Sequence, residues 1–428
     1  MPTSLPARRN AAAGPASVAL AGVRAANLAR VVATVLAAEM PPTRSDVATA
    51  MGVTRATASR LVDDLLNGGV LAEQEATSHG AGERSGVRRG RPGTPLAARA
   101  GHLAALGLQV NVGHLAALVV DLSGEVLVER IETGDFTKSV PAEVLSRLRS
   151  LGSEALKAAP TGLRIVGSGL AVPGIVTSDD GLLLRAPNLD WSDVTLCDYL
   201  DTQSLGAGPL TVGNEAELAA AAVSLDRPGH SSGLIDFIHL SGEIGIGGAI
   251  VIDGQPLPGR HGWAGEIGHV SVDPHGPSCV CGSTGCLELY AGTRALLAAA
   301  GLSPDATAAE LAARARDGDA LAVSAVESAA WALGHALSAV INVVDVPVVV
   351  LGGDLREVAE LVRPQVEETL HQRVLSSAWA PPTVRAAEPH PAPAALGAAY
   401  LQLQRVIDDP VRWLGVEGSR TATMTDSA

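Results

Sequence analysis

The strongest constraint on the fold of this chain is a cluster of one histidine and three cysteines in one short stretch. His269 is followed by Cys279, Cys281 and Cys286, so that three of the four cysteines lie within eight residues. Such clustering is typical of a metal site rather than of a disulfide framework. One imidazole and three thiolates complete the tetrahedral shell of a structural zinc ion and leave no open position. We therefore predict structural Zn²⁺ here; the alternative is three buried thiols beside a surface histidine.

Charge is distributed unevenly along the 428 residues. The first 100 residues contain 12 Arg, no Lys and 7 acidic residues, whereas the remainder contains 19 basic and 38 acidic residues. This asymmetry predicts a nucleic-acid-binding module joined to an acidic body. With 47% hydrophobic and 18% charged residues, global disorder is excluded.

No apolar stretch is long enough to predict a membrane span, and the amino terminus lacks a long apolar signal segment. We expect a cytoplasmic protein that begins with a disordered arm over residues 1–20. The isolated Cys197 is predicted to be a buried apolar side chain.

The basic end has the pattern of a helix-turn-helix. Apolar residues recur at helical spacing from Asn27, Ser45 can cap a second helix over residues 46–50, and Gly52 follows in a turn. A third helix, capped by Thr54, presents hydroxyl and guanidinium groups suited to phosphates and base edges. The candidate DNA-binding residues of this helix are Thr54, Arg55, Thr57, Ser59 and Arg60.

A wing is predicted to follow the third helix. Residues 70–73 resemble a strand, and the run Arg89-Gly90-Arg91-Pro92 can place Arg89 and Arg91 in a minor groove. Residues 21–97 are thus predicted to form a winged helix-turn-helix DNA-binding domain. The alternatives are a three-helix bundle used for dimerisation and a simple basic linker.

Beyond Leu103 the pattern changes to short strands that alternate with helices. Strands are predicted within residues 104–131 and over 165–172, with a helix over 141–157 between them, and a second set of strands lies within 234–252. The repetition predicts a duplicated α/β architecture with a cleft between two lobes.

Three motifs together resemble the signature of the ROK family, which comprises repressors, open reading frames and sugar kinases. They are the Gly-rich residues 245–249, Glu-Ile-Gly-His at 266–269 and Cys-Val-Cys-Gly-Ser-Thr-Gly-Cys-Leu-Glu at 279–288. The resemblance covers roughly residues 24–405. It implies a two-lobed, actin-like (ribonuclease-H-like) sugar-kinase fold over residues 98–405, split near 215. Its C-terminal helix would return to the first lobe, and a tail would occupy 406–428.

The resemblance also implies a sugar site in the cleft. Carboxylates suit vicinal hydroxyls because they accept two hydrogen bonds at once. Asn188 could equally be a turn residue. The implied sugar-binding residues are Asn188, Asn214, Glu215, Glu266, His269 and Glu288.

Catalysis is predicted to be lost. Where the family's kinases have Asp-x-Gly-Gly-Thr-Lys, this chain has residues 109–114, Gln-Val-Asn-Val-Gly-His, and Val112 would crowd a phosphate. Glu243 begins the second phosphate loop and would repel ATP, and Glu215 replaces the catalytic Asp.

The expected function is therefore a sugar-responsive repressor of carbohydrate metabolism genes, not an enzyme. Its expected partners are operator DNA, a sugar or sugar-phosphate effector, and further copies of itself in a dimer or tetramer. The alternative is an active ATP-dependent sugar kinase that carries a DNA-binding module.

Overall fold

The computed structural model describes residues 15–74, 93–177 and 181–415. The chain divides into two compact units. One unit comprises the residues up to Arg99 together with those from Arg405 onward, and the other comprises Ala100–Gln404.

The described amino-terminal part of the first unit consists of three helices and a two-stranded sheet. In chain order they are α1 (Pro15–Leu36), α2 (Arg44–Met51), α3 (Arg55–Asn67), β1 (Leu71–Glu73) and β2 (Leu96–Ala98).

Strands and helices alternate through the second unit. The strands are β3 (Leu103–Val110), β4 (His114–Asp121), β5 (Val126–Thr133), β6 (Arg164–Val172), β7 (Ile175–Val176), β8 (Leu182–Ala186), β9 (Trp191–Thr195), β10 (Leu210–Asn214), β11 (Leu225–Arg227), β12 (His230–Ser231), β13 (Phe237–Gly242), β14 (Ile246–Ile252), β15 (Gln255–Pro256), β16 (Val348–Gly353) and β17 (Thr383–Ala386). The helices are α4 (Pro141–Ala158), α5 (Glu215–Ser224), α6 (Glu288–Ala291), α7 (Thr293–Ala299), α8 (Ala308–Arg316), α9 (Ala320–Val344), α10 (Leu355–Arg373) and α11 (Pro393–Asp408).

The helix-turn-helix forms largely as its sequence predicts. Gly52 ends α2 in the left-handed region with φ of 68°, and Thr54 caps α3 by accepting from the Thr57 amide. The predicted cap at Ser45 is wrong, because α2 begins earlier. Thr43 caps it instead. The Asp46 carboxylate accepts a hydrogen bond from the Thr43 backbone N–H, which completes a capping box.

A short antiparallel pair of strands bounds the segment predicted to be the wing. β1 pairs with β2, so that Leu71 lies opposite Ala98. The sequence predicted only the first of these strands. Arg89 and Arg91 lie outside the described residues.

Helix α1 begins earlier, and helix α11 ends later, than the sequence predicted. Residues 15–20 of the expected arm are helical in α1, and residues 406–408 of the expected tail continue α11. A 3₁₀ turn, Pro410–Trp413, then contacts α1, and Leu414 packs on Gly68. Apolar residues near the end of α11, such as Val406 and Ile407, are buried and anchor this segment.

The two five-stranded sheets of the second unit have the same design. The first has the order β10-β6-β3-β4-β5, and the second has the order β15-β14-β13-β16-β17. In each sheet an antiparallel hairpin is extended by two strands parallel to its first strand. This equivalence confirms the predicted duplication.

Helix α11 lies close against the first sheet. A Cβ atom at Gly107 on β3 would clash with the carbonyl of Ala395, and one at Gly169 on β6 would clash with Ala398. Glycine at these two positions therefore allows the helix backbone to approach the strands directly.

Among the described residues, only α9 is long and apolar enough to cross a bilayer. Its inner face packs in the largest hydrophobic cluster, where residues such as Leu333 and Leu337 are fully buried. Core helices of this length and composition meet the same criterion without entering a membrane.

Candidate functional site

A cavity of about 330 Å³ opens in the second unit near the carboxyl ends of β6 and β10. Its wall includes Pro173 and Gly174 after β6, Ser241 on β13 and the Gly-rich residues 245–248. The six sugar-binding candidates all line it, namely Asn188, Asn214, Glu215, Glu266, His269 and Glu288. The fold thus brings together residues that lie as much as 100 positions apart.

The four predicted metal ligands also meet. Their ligand atoms all lie within 4.8 Å of one another. The Sγ atoms of Cys281 and Cys286 are 3.7 Å apart, and Cys279 Sγ is 3.8 Å from His269 Nδ1. With Zn–S bonds of about 2.3 Å, neighbouring ligand atoms in a tetrahedral shell stand about 3.8 Å apart. The spacing and the donor chemistry therefore fit a four-coordinate metal ion.

Two carboxylates connect this metal cluster to the cavity. Glu288 Oε1 lies 3.4 Å from His269 Nδ1 and accepts from Cys279 Sγ at 2.9 Å. On the other side of the ring, His269 Nε2 is 3.9 Å from Glu266 Oε2. The imidazole thus has one nitrogen at the cluster and the other toward the cavity. The segment that carries the four candidate ligands, residues 269–286, is called the metal loop here. Its contacts fix the positions of two sugar-binding candidates, Glu266 and Glu288.

Among the described side chains of the cavity wall, Arg185 on β8 is the one with a permanent positive charge. Its Nη2 donates to the carbonyl oxygen of Val280, in the metal loop, at 3.3 Å. Four carboxylates, those of Glu215, Glu243, Glu266 and Glu288, share the same wall. The cavity is therefore acidic.

Asn214 has a structural task that the sequence did not indicate. Its Oδ1 accepts from the backbone amides of Ala216 and Glu217, which makes it the N-cap of α5. Its Nδ2 donates to the carbonyl of Gly174, and one amide hydrogen is left for the cavity.

Glu215 is half-buried at the first turn of α5 and is held by two amides. Its Oε1 accepts from Gln109 Nε2 and from Asn111 Nδ2, each at 2.7 Å. Burial raises the pKa of the Glu215 carboxyl to about 6, and the two amide hydrogen bonds oppose that rise.

A second half-buried carboxyl, that of Glu243, lies beside the first. Burial raises its pKa well above the ordinary value, and the charges of Glu215 and Asp354 raise it further. Sequence reasoning identified Gln109, Asn111 and Glu243 only as departures from a kinase pattern. Their contacts now show that they form one connected polar cluster with Glu215.

A second cavity, of about 430 Å³, lies beside Gly352 and Gly353. Its wall is again acidic, with Glu243 and Asp354, and the guanidinium of Arg356 is engaged by Glu357 at 2.7 Å. The wall thus offers little positive charge to a phosphate group.

The DNA-binding candidates of the first unit lie at the start of α3. Thr54, Arg55 and Arg60 are exposed, whereas Thr57 and Ser59 are half-buried. Neither arginine forms an ion pair within the described residues, and the Thr54 hydroxyl lies 2.9 Å from that of Thr57.

The prediction that Cys197 is buried is wrong. This residue is exposed in the 3₁₀ turn Leu196–Asp198 that follows β9.

The family model described as ROK family matches residues 105–405. The xylose repressor of Caldicellulosiruptor bescii is 28% identical over 347 residues, which cover 77% of this chain and 84% of that protein. The glucokinase of Streptomyces coelicolor is 28% identical over 297 residues, 64% of this chain and 90% of the glucokinase. Three further relatives are matched over only 61, 63 and 65% of their own length, which is less than two thirds.

Among solved structures, a ROK family transcriptional regulator described as a homologue of Escherichia coli Mlc is similar in fold. The TM-score is 0.73 at 24% identity, over 92% of this chain and 100% of the other. This similarity confirms the predicted α/β fold class, in which amino-terminal helices precede a two-lobed body in the sequence. Since the family model covers well over half of the chain and agrees with the motifs at 245–288, the chain belongs to the ROK family.

Proposed function

We propose that this protein is a sugar-responsive DNA-binding repressor of carbohydrate metabolism genes. The observation that carries the proposal is the Glu215 cluster. The cavity has the side chains to bind a sugar, while the adjoining phosphate loop is filled by the buried amides of Gln109 and Asn111, which bind the Glu215 carboxyl. The names of the relatives, which include xylose repressors, support the same function.

The first unit supports DNA binding. Helix α3 presents the exposed guanidinium groups of Arg55 and Arg60 without described ion-pair partners, so both can reach phosphates or base edges. In the proposed domain, residues 21–97, the wing would add Arg89 and Arg91. A homodimer or homotetramer in the cytoplasm would present such units in pairs.

The charge of the cavity favours a neutral sugar over a sugar phosphate as the effector. A phosphate would meet four carboxylates and one guanidinium, that of Arg185, whose Nη2 already donates to Val280. Hydroxyl groups, in contrast, donate well to carboxylates. We assign sugar contacts to Glu266, His269 and Glu288, with Asn188, Asn214 and Glu215 completing the site.

We assign the metal cluster to structural Zn²⁺, held by His269, Cys279, Cys281 and Cys286. When bound, the ion would cross-link the loop. The chain's own residues do the rest: the loop positions Glu288 and Glu266 against the cavity, and His269 Nε2 remains on the cavity side.

Kinase activity is disfavoured at three positions. Val112 is buried in the phosphate loop, Glu243 adds a carboxyl where phosphate would approach, and Glu215 is fixed by Gln109 and Asn111. The two amide donors stabilise the ionised form of Glu215, which makes its carboxylate a weaker acceptor for a substrate proton.

The test is calorimetric titration of the zinc-loaded protein with D-xylose, D-glucose and their phosphates, with and without MgATP. We expect heat from a neutral sugar, no heat from MgATP and no ADP. The same sugar should change the affinity for a duplex selected by the protein from a random-sequence DNA pool. Sustained ADP release with sugar would instead establish the kinase alternative.

A further inference from the structure

We propose that Gln109 is a positioning residue that links the cavity carboxyl of Glu215 to the amino end of helix α11. The inference rests on the proposed function, because it concerns how an occupied cavity alters the rest of the chain. It is carried by three consecutive contacts, each among the described residues of the second unit.

The first contact fixes the orientation of the Gln109 side chain. The backbone N–H of Ala395 donates to Gln109 Oε1 at 3.1 Å, in a buried setting. Ala395 lies in the first turn of α11, where backbone amides lack partners within the helix. A backbone N–H can only donate, so the oxygen of Gln109 must face α11. The side chain on β3 therefore caps a helix that begins almost 300 residues later.

The second contact follows from the first. With Oε1 committed to Ala395, Nε2 points the other way and donates to Glu215 Oε1 at 2.7 Å. Gln109 is 2% exposed, so water does not compete for either bond. An amide is the group this position requires, because it both accepts from an N–H and donates to a carboxylate. Neither Asp nor Glu in the ionised state can do both.

The third contact shows how the role of Gln109 differs from that of Asn111. Asn111 also donates to Glu215 at 2.7 Å, but its Oδ1 accepts from Gly113, two residues away. Asn111 thus holds the same carboxyl, and its side-chain oxygen is turned away from α11. Among the described side chains, Gln109 is the one that hydrogen-bonds both to the Glu215 carboxyl and to α11.

Helix α11 continues without a break from Pro393 to Asp408, and its residues from Arg405 onward belong to the first unit. A sugar hydroxyl that competes for Glu215 weakens or redirects the bond from Gln109. Since that bond and the cap on Ala395 share one rigid amide, occupancy of the cavity acts on the start of α11. A ligand shifts such a linked element only if it prefers one of its states.

The test compares Gln109→Met with a matched control variant. Gln109→Met removes both bonds and keeps an unbranched side chain of similar length. Gln402→Met, on α11, removes a hydrogen bond to Thr211 that does not involve the cavity. Each protein is titrated with D-xylose and D-glucose by calorimetry, and with the selected DNA duplex by fluorescence anisotropy, with and without the sugar that binds.

In the wild type we expect the sugar to change the DNA dissociation constant about ten-fold or more. In Gln109→Met, the sugar should still give measurable binding heat, while its effect on DNA affinity falls below about two-fold. Gln402→Met should respond like the wild type. The inference is overturned if Gln109→Met keeps the full response, or if Gln402→Met loses it equally. If the wild type binds DNA and sugar without any linkage, the proposed function itself fails.

Discussion

The side-chain amide nitrogen of Asn214 lies 2.9 Å from the carbonyl oxygen of Gly174 and donates to it. The same side chain caps α5 through its oxygen, so one residue joins the end of the first sheet, the helix that follows and the cavity. A sugar contact predicted from the family resemblance is therefore also a structural support.

Replacing Asn214 separates these two roles. Asn214→Ala should lower the free energy of unfolding by about 1 kcal/mol, because the cap is lost. Asn214→Ser keeps a capping oxygen and should stay within about 0.5 kcal/mol of wild type. Both should weaken sugar binding about five- to ten-fold, since neither retains the amide hydrogen. Urea unfolding and calorimetry check this; unchanged sugar affinity in both variants would leave Asn214 a purely structural residue.

Arg55 should contribute to DNA binding and to nothing else. We expect Arg55→Ala to raise the DNA dissociation constant about 5- to 100-fold and to reduce its dependence on salt. Sugar affinity should not change. Arg24→Ala is the matched control, because Arg24 is already paired with Asp64 at 2.9 Å. Anisotropy across a range of salt concentrations gives both quantities, and an equal loss in the two variants would contradict a role specific to α3.

Removing one thiol should abolish metal binding. Cys286 is fully buried among the other ligands, so Cys286→Ser should release the metal and lower Tm by at least about 5 °C. Cys197→Ser, outside the cluster, should retain one equivalent of zinc. Elemental analysis and thermal unfolding provide the measurements. Full metal content in Cys286→Ser would show that the cluster is not the site.

Glu215 predicts a pH dependence of stability. Its folded pKa of about 6 lies above the ordinary 4.5, so the folded state holds this proton more tightly than the unfolded state does. The resulting stabilisation is complete below about pH 4.5 and is lost as the pH rises through about 6.

Glu215→Gln should therefore gain about 1–2 kcal/mol relative to wild type between pH 5 and pH 8, because the neutral amide has no charge to desolvate. Its oxygen can still accept from Gln109 and Asn111. Urea unfolding at both pH values measures the gain. Glu143→Gln, an exposed change at the start of α4, should show none. A constant difference between Glu215→Gln and wild type at both pH values would refute the assignment.

The sequence predicted the metal cluster and the main strands well because both depend on local pattern. Four ligands within eighteen residues and apolar runs between glycine turns need little tertiary information. The Thr43 cap could have been found from its spacing to Asp46, which forms a capping box.

The bonds around Glu215 could not be found in this way. Gln109 and Glu215 are 106 residues apart, and Gln109 and Ala395 are 286 apart. Sequence comparison indicated what these positions had lost relative to a kinase, whereas only the folded arrangement reveals what they gained.

The first unit is discontinuous in sequence, since the residues from Arg405 onward join those before Arg99. A ribosome therefore makes most of this unit first and its last piece only after the whole intervening body. The contact between α1 and the turn at Pro410–Trp413 cannot form on a truncated chain. An interrupted translation product would thus lack part of the first unit, which can be completed only after the turn at Pro410–Trp413 has been synthesised.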